Sequence, residues 1–94
     1  MVEWSIPARN DLKQIHDFIA RDSKYYADKV TNTIVERTEM LNEFPEIGRV
    51  VQEIGDKNVR EIIEYSYRII YEVYGERIEI LALVHGRSIM TPEI

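Results

Sequence analysis

Residues 67–87 read YRIIYEVYGERIEILALVHGR. Two runs rich in β-branched and aromatic residues flank Gly75, and the second stops at His85-Gly86-Arg87. Such runs favour a pleated, half-buried strand. A two-residue loop at Gly75-Glu76, with glycine first, fits a type II′ hairpin turn. That turn sets Val73 opposite Ile78, Tyr71 opposite Ile80, Ile69 opposite Ala82 and Tyr67 opposite Val84. One face of the hairpin is then wholly apolar or aromatic and is the one helices should cover. The other carries Arg68, Ile70, Glu72, Glu79, Leu81, Leu83 and His85. Arg68 faces Leu83, one step from His85, and Glu72 meets Glu79, a mildly unfavourable like-charge pair.

Upstream, NVREIIE (58–64) supplies a third strand. A three-residue loop over Tyr65–Tyr67 pairs Glu64 with Arg68, Ile62 with Ile70 and Arg60 with Glu72. A two-residue loop would instead turn Arg60 and Glu64 toward the helices, where burial penalises an unpaired charge. The three-residue loop is preferred. It gathers Arg60, Arg68 and His85 on the helix-free face, with Arg87 just beyond the strand end. Arg49 reaches the same area from the loop PEIGRVVQEIGDKN (45–58), which Val50, Val51 and Ile54 anchor to the core. The competing reading of this face is a wet sheet surface carrying charge for solubility.

The amino-terminal half is helical by spacing. VEWSI (2–6) alternates as a strand, and Pro7 suits a first helical turn. Ala8, Leu12, Ile15 and Ile19 recur at helical intervals, widened by Phe18, and predict a helix over 8–22. Ser23 is an N-cap candidate. KYYADKVTNTIVERTEMLNEF (24–44) follows with its stripe at Tyr26/Ala27, Val30, Ile34, Leu41 and Phe44, and Pro45 stops it. So short a join predicts an antiparallel helical hairpin. The fold class is α+β: a strand, a two-helix hairpin, then a three-stranded antiparallel meander with the helices on one face.

The 94 residues suit a single domain, 1–94. With no cysteine, a disulfide framework and thiol chemistry are excluded. No apolar run is long enough to cross a bilayer, and Glu3 sits where a secretory leader would be basic. A cytoplasmic protein is expected. The net charge of −5 is evenly spread, nine acids and six bases through Gly48 and eight and six after it. A chain that lives by gripping phosphates is normally basic, so general nucleic-acid binding is disfavoured. His16 and His85 lack metal-ligand spacing to any acidic pair. The four glycines form no phosphate loop, and Ser88 near His85 has no third triad member. The reading of the residues alone ends at an α+β domain with one cationic cleft, no metal and no cofactor.

WSIPA, DLKQIHDFI, FPEIGR, VREI, YRIIYEV and ILALVHGR, in this order and spacing, resemble the RelE/ParE family of toxins from type II toxin–antitoxin (plasmid stabilisation) systems. The resemblance covers nearly the whole chain. It implies a growth-arresting toxin neutralised by a cognate antitoxin in a hetero-oligomer. RelE-like members cut messenger RNA on the ribosome, whereas ParE-like members inhibit DNA gyrase. By resemblance, Arg68 matches the arginine that RelE-like enzymes place against the scissile phosphate, a task suited to its two parallel donors. His85 would then exchange protons and Arg87 stabilise charge. Ribosome-dependent members add loop lysines and a tyrosine near the end. Here the loop has only Lys57, and no tyrosine follows Tyr74. The ParE-like reading is therefore favoured, with the RelE-like nuclease and a degenerate, non-toxic antitoxin binder as alternatives. Ile70, Leu81 and Leu83 on the helix-free face are the expected antitoxin contacts. On the nuclease alternative, Arg68→Ala is expected to spare the fold.

Overall fold

The computed structural model describes residues 1–86. Its elements run β1 (Val2–Trp4), α1 (Ile6–Ala20), α2 (Lys24–Glu39), β2 (Arg49–Val50), β3 (Val59–Glu64), β4 (Tyr67–Tyr74) and β5 (Arg77–His85). A 3₁₀ turn over Met40–Asn42 follows α2. The five strands form one sheet in the order β1-β5-β4-β3-β2. The last three strands are the expected antiparallel meander, and β1 lies parallel to β5, with Trp4 opposite Ile80.

The helices begin where backbone donors find partners. Ser5 caps α1, its hydroxyl accepting the Ala8 N–H at 3.1 Å, and Pro7 sits in the first turn. Ser23 caps α2 through the Tyr26 N–H in the same way. α1 therefore starts and ends two residues earlier than its apolar spacing predicts. α2 stops at Glu39 and tightens into the 3₁₀ turn instead of continuing to Phe44. Ala8, Val30, Ile34 and Leu41 are buried against Ile62, Ile69, Tyr71, Ile78, Ile80 and Leu83 of the sheet. Phe18, Tyr26 and Phe44, expected in the helical stripes, are exposed instead. The Phe18 ring lies under the Arg21 guanidinium.

Two register details depart from expectation. The hairpin pairs Val73 with Ile78 and Tyr71 with Ile80 as expected, but then Ile70 meets Ala82 and Tyr67 meets His85. Leu81 is an extra residue, a β-bulge. Past it every side chain of β5 changes face, so Leu83 enters the helix-side core. The bulge is paid for by Ser5, whose hydroxyl donates to the Leu81 carbonyl at 3.1 Å. Beyond the end of β1, Asp11 of α1 accepts the Leu83 N–H at 3.0 Å.

The second departure is the β3–β4 turn. It has two residues, Tyr65-Ser66, so Glu64 pairs with Tyr67 and Ile62 with Ile69. Tyr65 takes a left-handed φ of 56° to close it. Arg60 and Glu64 do face the helix side, as that turn requires. The expected burial penalty is met by partners: Arg60 Nη1 donates to the Gly48 carbonyl at 2.9 Å. Glu64 sits 2.8 Å from Arg37 of α2, an ion pair more than an aligned hydrogen bond.

The stretch FPEIGR is held by one phenol. Tyr71, fully buried, donates to the Pro45 carbonyl and accepts the Gly48 N–H, both at 2.9 Å. A Cβ on Gly48 would lie 2.6 Å from both the Glu61 carbonyl oxygen and the Tyr71 hydroxyl, so no other residue fits. Burial raises the Tyr71 phenol above its ordinary value near 10. Tyr71→Phe is expected to cost about 1–3 kcal/mol, because it strands a buried donor and acceptor. Phe at exposed Tyr74 should cost less. Urea denaturation checks this. The wild-type advantage holds fully below the unfolded phenol's pKa and is lost as pH rises through the higher folded value.

Candidate functional site: a buried arginine between two glutamates

On the helix-free face the loop after β2 folds back over the sheet. Val51 is fully buried with Val59 and Ile70, and Leu81, Ala82 and Val84 pack against them. The Val51 N–H donates to the Val59 carbonyl at 3.1 Å, fastening the loop to β3. This small second core covers much of what the sequence suggests is a wet face. Ile54, expected to help anchor the loop, stays exposed.

Beside that core lies Arg68, only 7% exposed, opposite Ile63 of β3 and Val84 of β5. Its Nε donates to Glu61 Oε1 and its Nη2 to Glu61 Oε2 at 3.2 Å. From the loop, Glu53 accepts the Nη1 and Nη2 donors at 2.8 and 3.0 Å. Both contacts are two-point, the strongest geometry a guanidinium makes. The carboxylates, Glu53 foremost, drive Arg68 further into its charged form. Arg49, largely exposed, adds a contact from Nε to Glu61 Oε2 at 3.3 Å. Among the described residues these four groups carry two positive and two negative charges, where a cationic cleft is expected.

The predicted site residues thus divide. Arg49 and Arg68 meet at this cluster. Arg60 points to the opposite face and ties down FPEIGR. His85 also lies on the helix side, because the bulge turns it there, edge-on to Tyr67 at 5.9 Å between ring centres. It lines a shallow groove with Asp11, Ile15, Phe18 and Leu83. Arg87 lies outside the described residues. The trio Ile70, Leu81 and Leu83 does not share a surface: Ile70 is buried under Val51, Leu83 is in the other core and Leu81 is half-covered. A glutamate at Leu83 would therefore strike the core before it touched any partner. Sequence reasoning missed Glu53 and Glu61. The two-residue turn was the available signal, since it puts Glu61 diagonal to Arg68 on one face. Among the described residues no group of His, Asp or Glu could hold a metal ion.

The model of the family described as ParE toxin of type II toxin–antitoxin system, parDE, matches residues 2–90. The chain belongs to the ParE toxin family. Among solved structures, a chain of the chromosomal ParDE toxin–antitoxin system from P. aeruginosa superposes with a TM-score of 0.73 at 23% identity. The match covers 89% of this toxin and 92% of that chain, which shows a shared fold. A search of curated protein sequences finds no match. As a ParE-family toxin of a type II system, the protein has an antitoxin as its partner. Among the described residues no helix is long and apolar enough to cross a membrane.

Buried Arg68 changes what its removal should do. Arg68→Ala leaves Glu61, 4% exposed, without its main counter-ion. The expected loss is about 3–5 kcal/mol, a large part of a small domain's stability, where the sequence alone suggested an intact fold. The double substitution Arg68→Met with Glu61→Leu should recover most of that loss, because no charge remains buried and Glu53 can turn to water. Denaturant titration of the wild type and both variants tests the pair.

Proposed function

We propose that this toxin arrests growth by binding and inhibiting DNA gyrase in the cytoplasm, without catalytic residues of its own. Its antitoxin holds it inactive until released. The observation that carries this reading is the occupancy of Arg68. A nuclease of the RelE kind needs that guanidinium for the scissile phosphate, yet here both its two-point edges face Glu53 and Glu61. The candidate proton carrier His85 stands on the other face of the sheet. General acid–base catalysis needs the proton carrier within hydrogen-bond reach of the reacting group, directly or through one water. A group separated from the arginine by the sheet cannot serve the same phosphate. The acidic balance, −5 overall, adds to the case, since ribosomal RNA would repel it. Membership of the ParE family supports the gyrase target as the family's role.

Purified toxin, freed of antitoxin, should lower gyrase supercoiling in a dose-dependent way and leave messenger RNA intact on programmed ribosomes. Unchanged supercoiling at high toxin excess would defeat the proposal, and ribosome-dependent cuts would return Arg68 to a catalytic role.

A further inference from the structure

We infer that the open edge of β1 is a docking site for an extended segment of a partner protein, added to the sheet as an antiparallel sixth strand. The side chains of that segment alternate apolar, basic, apolar. β1 is the outermost strand and pairs on its inner side with β5. The Met1 carbonyl accepts the Ile78 N–H at 2.9 Å, and the Ser5 N–H donates to the Ile80 carbonyl at 3.0 Å. Backbone direction alternates along a strand. Glu3 therefore points inward with Met1 and Ser5, and the N–H and C=O groups of Val2 and Trp4 point outward. Such an edge is a template for another strand.

Two side-chain surfaces meet at this edge and state what the added strand should carry. On the helix side Val2 and Trp4 pack against the main core but stay half-buried. With Leu12 and Val35 they line an open groove of about 600 Å³, with Arg9 at its rim. Residues opposite Val2 and Trp4 would enter that groove, so both should be apolar.

The other face sets the charge. Glu3 stands opposite Glu79, and Glu79 opposite Glu72. Like charges side by side in a sheet are unfavourable, and this row of three crosses β4, β5 and β1 to reach the open edge. Arg77, largely exposed, approaches Glu3 no closer than 3.4 Å. The residue opposite Glu3 in an added strand falls next in the row. In an antiparallel strand it forms the non-hydrogen-bonded kind of pair, in which side chains lie closest. A lysine or arginine there relieves the row, and an acid lengthens it. The same rule disfavours a second copy of this chain. Pairing β1 with itself so that Val2 meets Trp4 sets Glu3 against Glu3 and doubles the row.

The test is binding of a blocked five-residue peptide, Thr-Val-Lys-Val-Thr, to the whole chain. Backbone amide shifts and the fluorescence of Trp4, the single tryptophan, report it. It does not depend on the gyrase reading, because the readout is the peptide itself. Shifts should centre on Val2, Glu3, Trp4 and Leu12. The lysine peptide should bind about tenfold more tightly than Thr-Val-Glu-Val-Thr, and Glu3→Lys in the toxin should reverse that order. Methylating the backbone nitrogens of both valines should abolish binding, since it removes the strand's donors and keeps its side chains. Equal binding of the lysine and glutamate peptides, or of neither, would overturn the site. Shifts at Val2 and Trp4 that grow with toxin concentration in the absence of peptide would also overturn it, because a second copy would then be the occupant. If Glu3→Lys does not fold, the comparison of the two peptides on the wild type still decides the question.

Discussion

One backbone carbonyl, that of Leu81, organises the sheet's relation to the helices. β5 has one residue more than β4 can pair, and the extra unit leaves a polar group that a half-buried position cannot tolerate unbonded. Ser5 supplies the donor. The same hydroxyl accepts the Ala8 N–H in the first turn of α1, so one serine fixes where β1 ends, where α1 starts and where β5 changes face. Asp11, later in the same helix, takes the Leu83 N–H that lies beyond the reach of β1. The angle at which α1 meets the sheet is thus set by hydrogen bonds at two points, and the apolar packing of Ala8, Leu12 and Leu83 fills in between them.

The two faces of the sheet are stabilised by different physics. The helix side is an ordinary apolar core with one internal phenol, Tyr71, bonded at both of its hydroxyl functions. The other side has a small apolar cluster and, next to it, a neutralised arginine. Buried ion pairs of this type add little net stability over apolar substitutes. Their value lies in how much is lost when one member goes. The cluster also ties together three consecutive segments, the loop, β3 and β4, so the loop cannot drift without unpairing a charge.

Much of the architecture was legible in the sequence because its signals were local and periodic. Helical spacing at Ala8, Leu12, Ile15 and Ile19, the Ser23 cap and the Gly75 turn each act within a few residues, and each is found in the structure. The meander and the helix-covered face were also legible. What could not be read was register, which turns on single residues. Period-two alternation gives no sign that Leu81 is extra, because the run Ile80 to Val84 is apolar on both faces and remains acceptable in either frame. The β3–β4 turn was misjudged on a sound rule, that buried charge is costly, applied without the partners: Arg37 and the Gly48 carbonyl come from elsewhere in the chain. The two register errors, the β3–β4 turn and the β5 bulge, together scattered the expected site. Arg49 and Arg68 stay together, while Arg60 and His85 move to the other side and two unexpected glutamates enter.

The parallel pairing of β1 with β5 has a consequence for the order in which the molecule can be completed. β1 finds its strand partner only in β5, more than seventy residues later in the chain. During synthesis the two helices emerge early, with Val30, Ile34 and Leu41 turned toward strands that have not yet been made. Long-range pairing of this kind is slow and leaves apolar surface open while it waits. A growing toxin chain therefore remains unfinished, and unable to present its final surfaces, until β5 has left the ribosome.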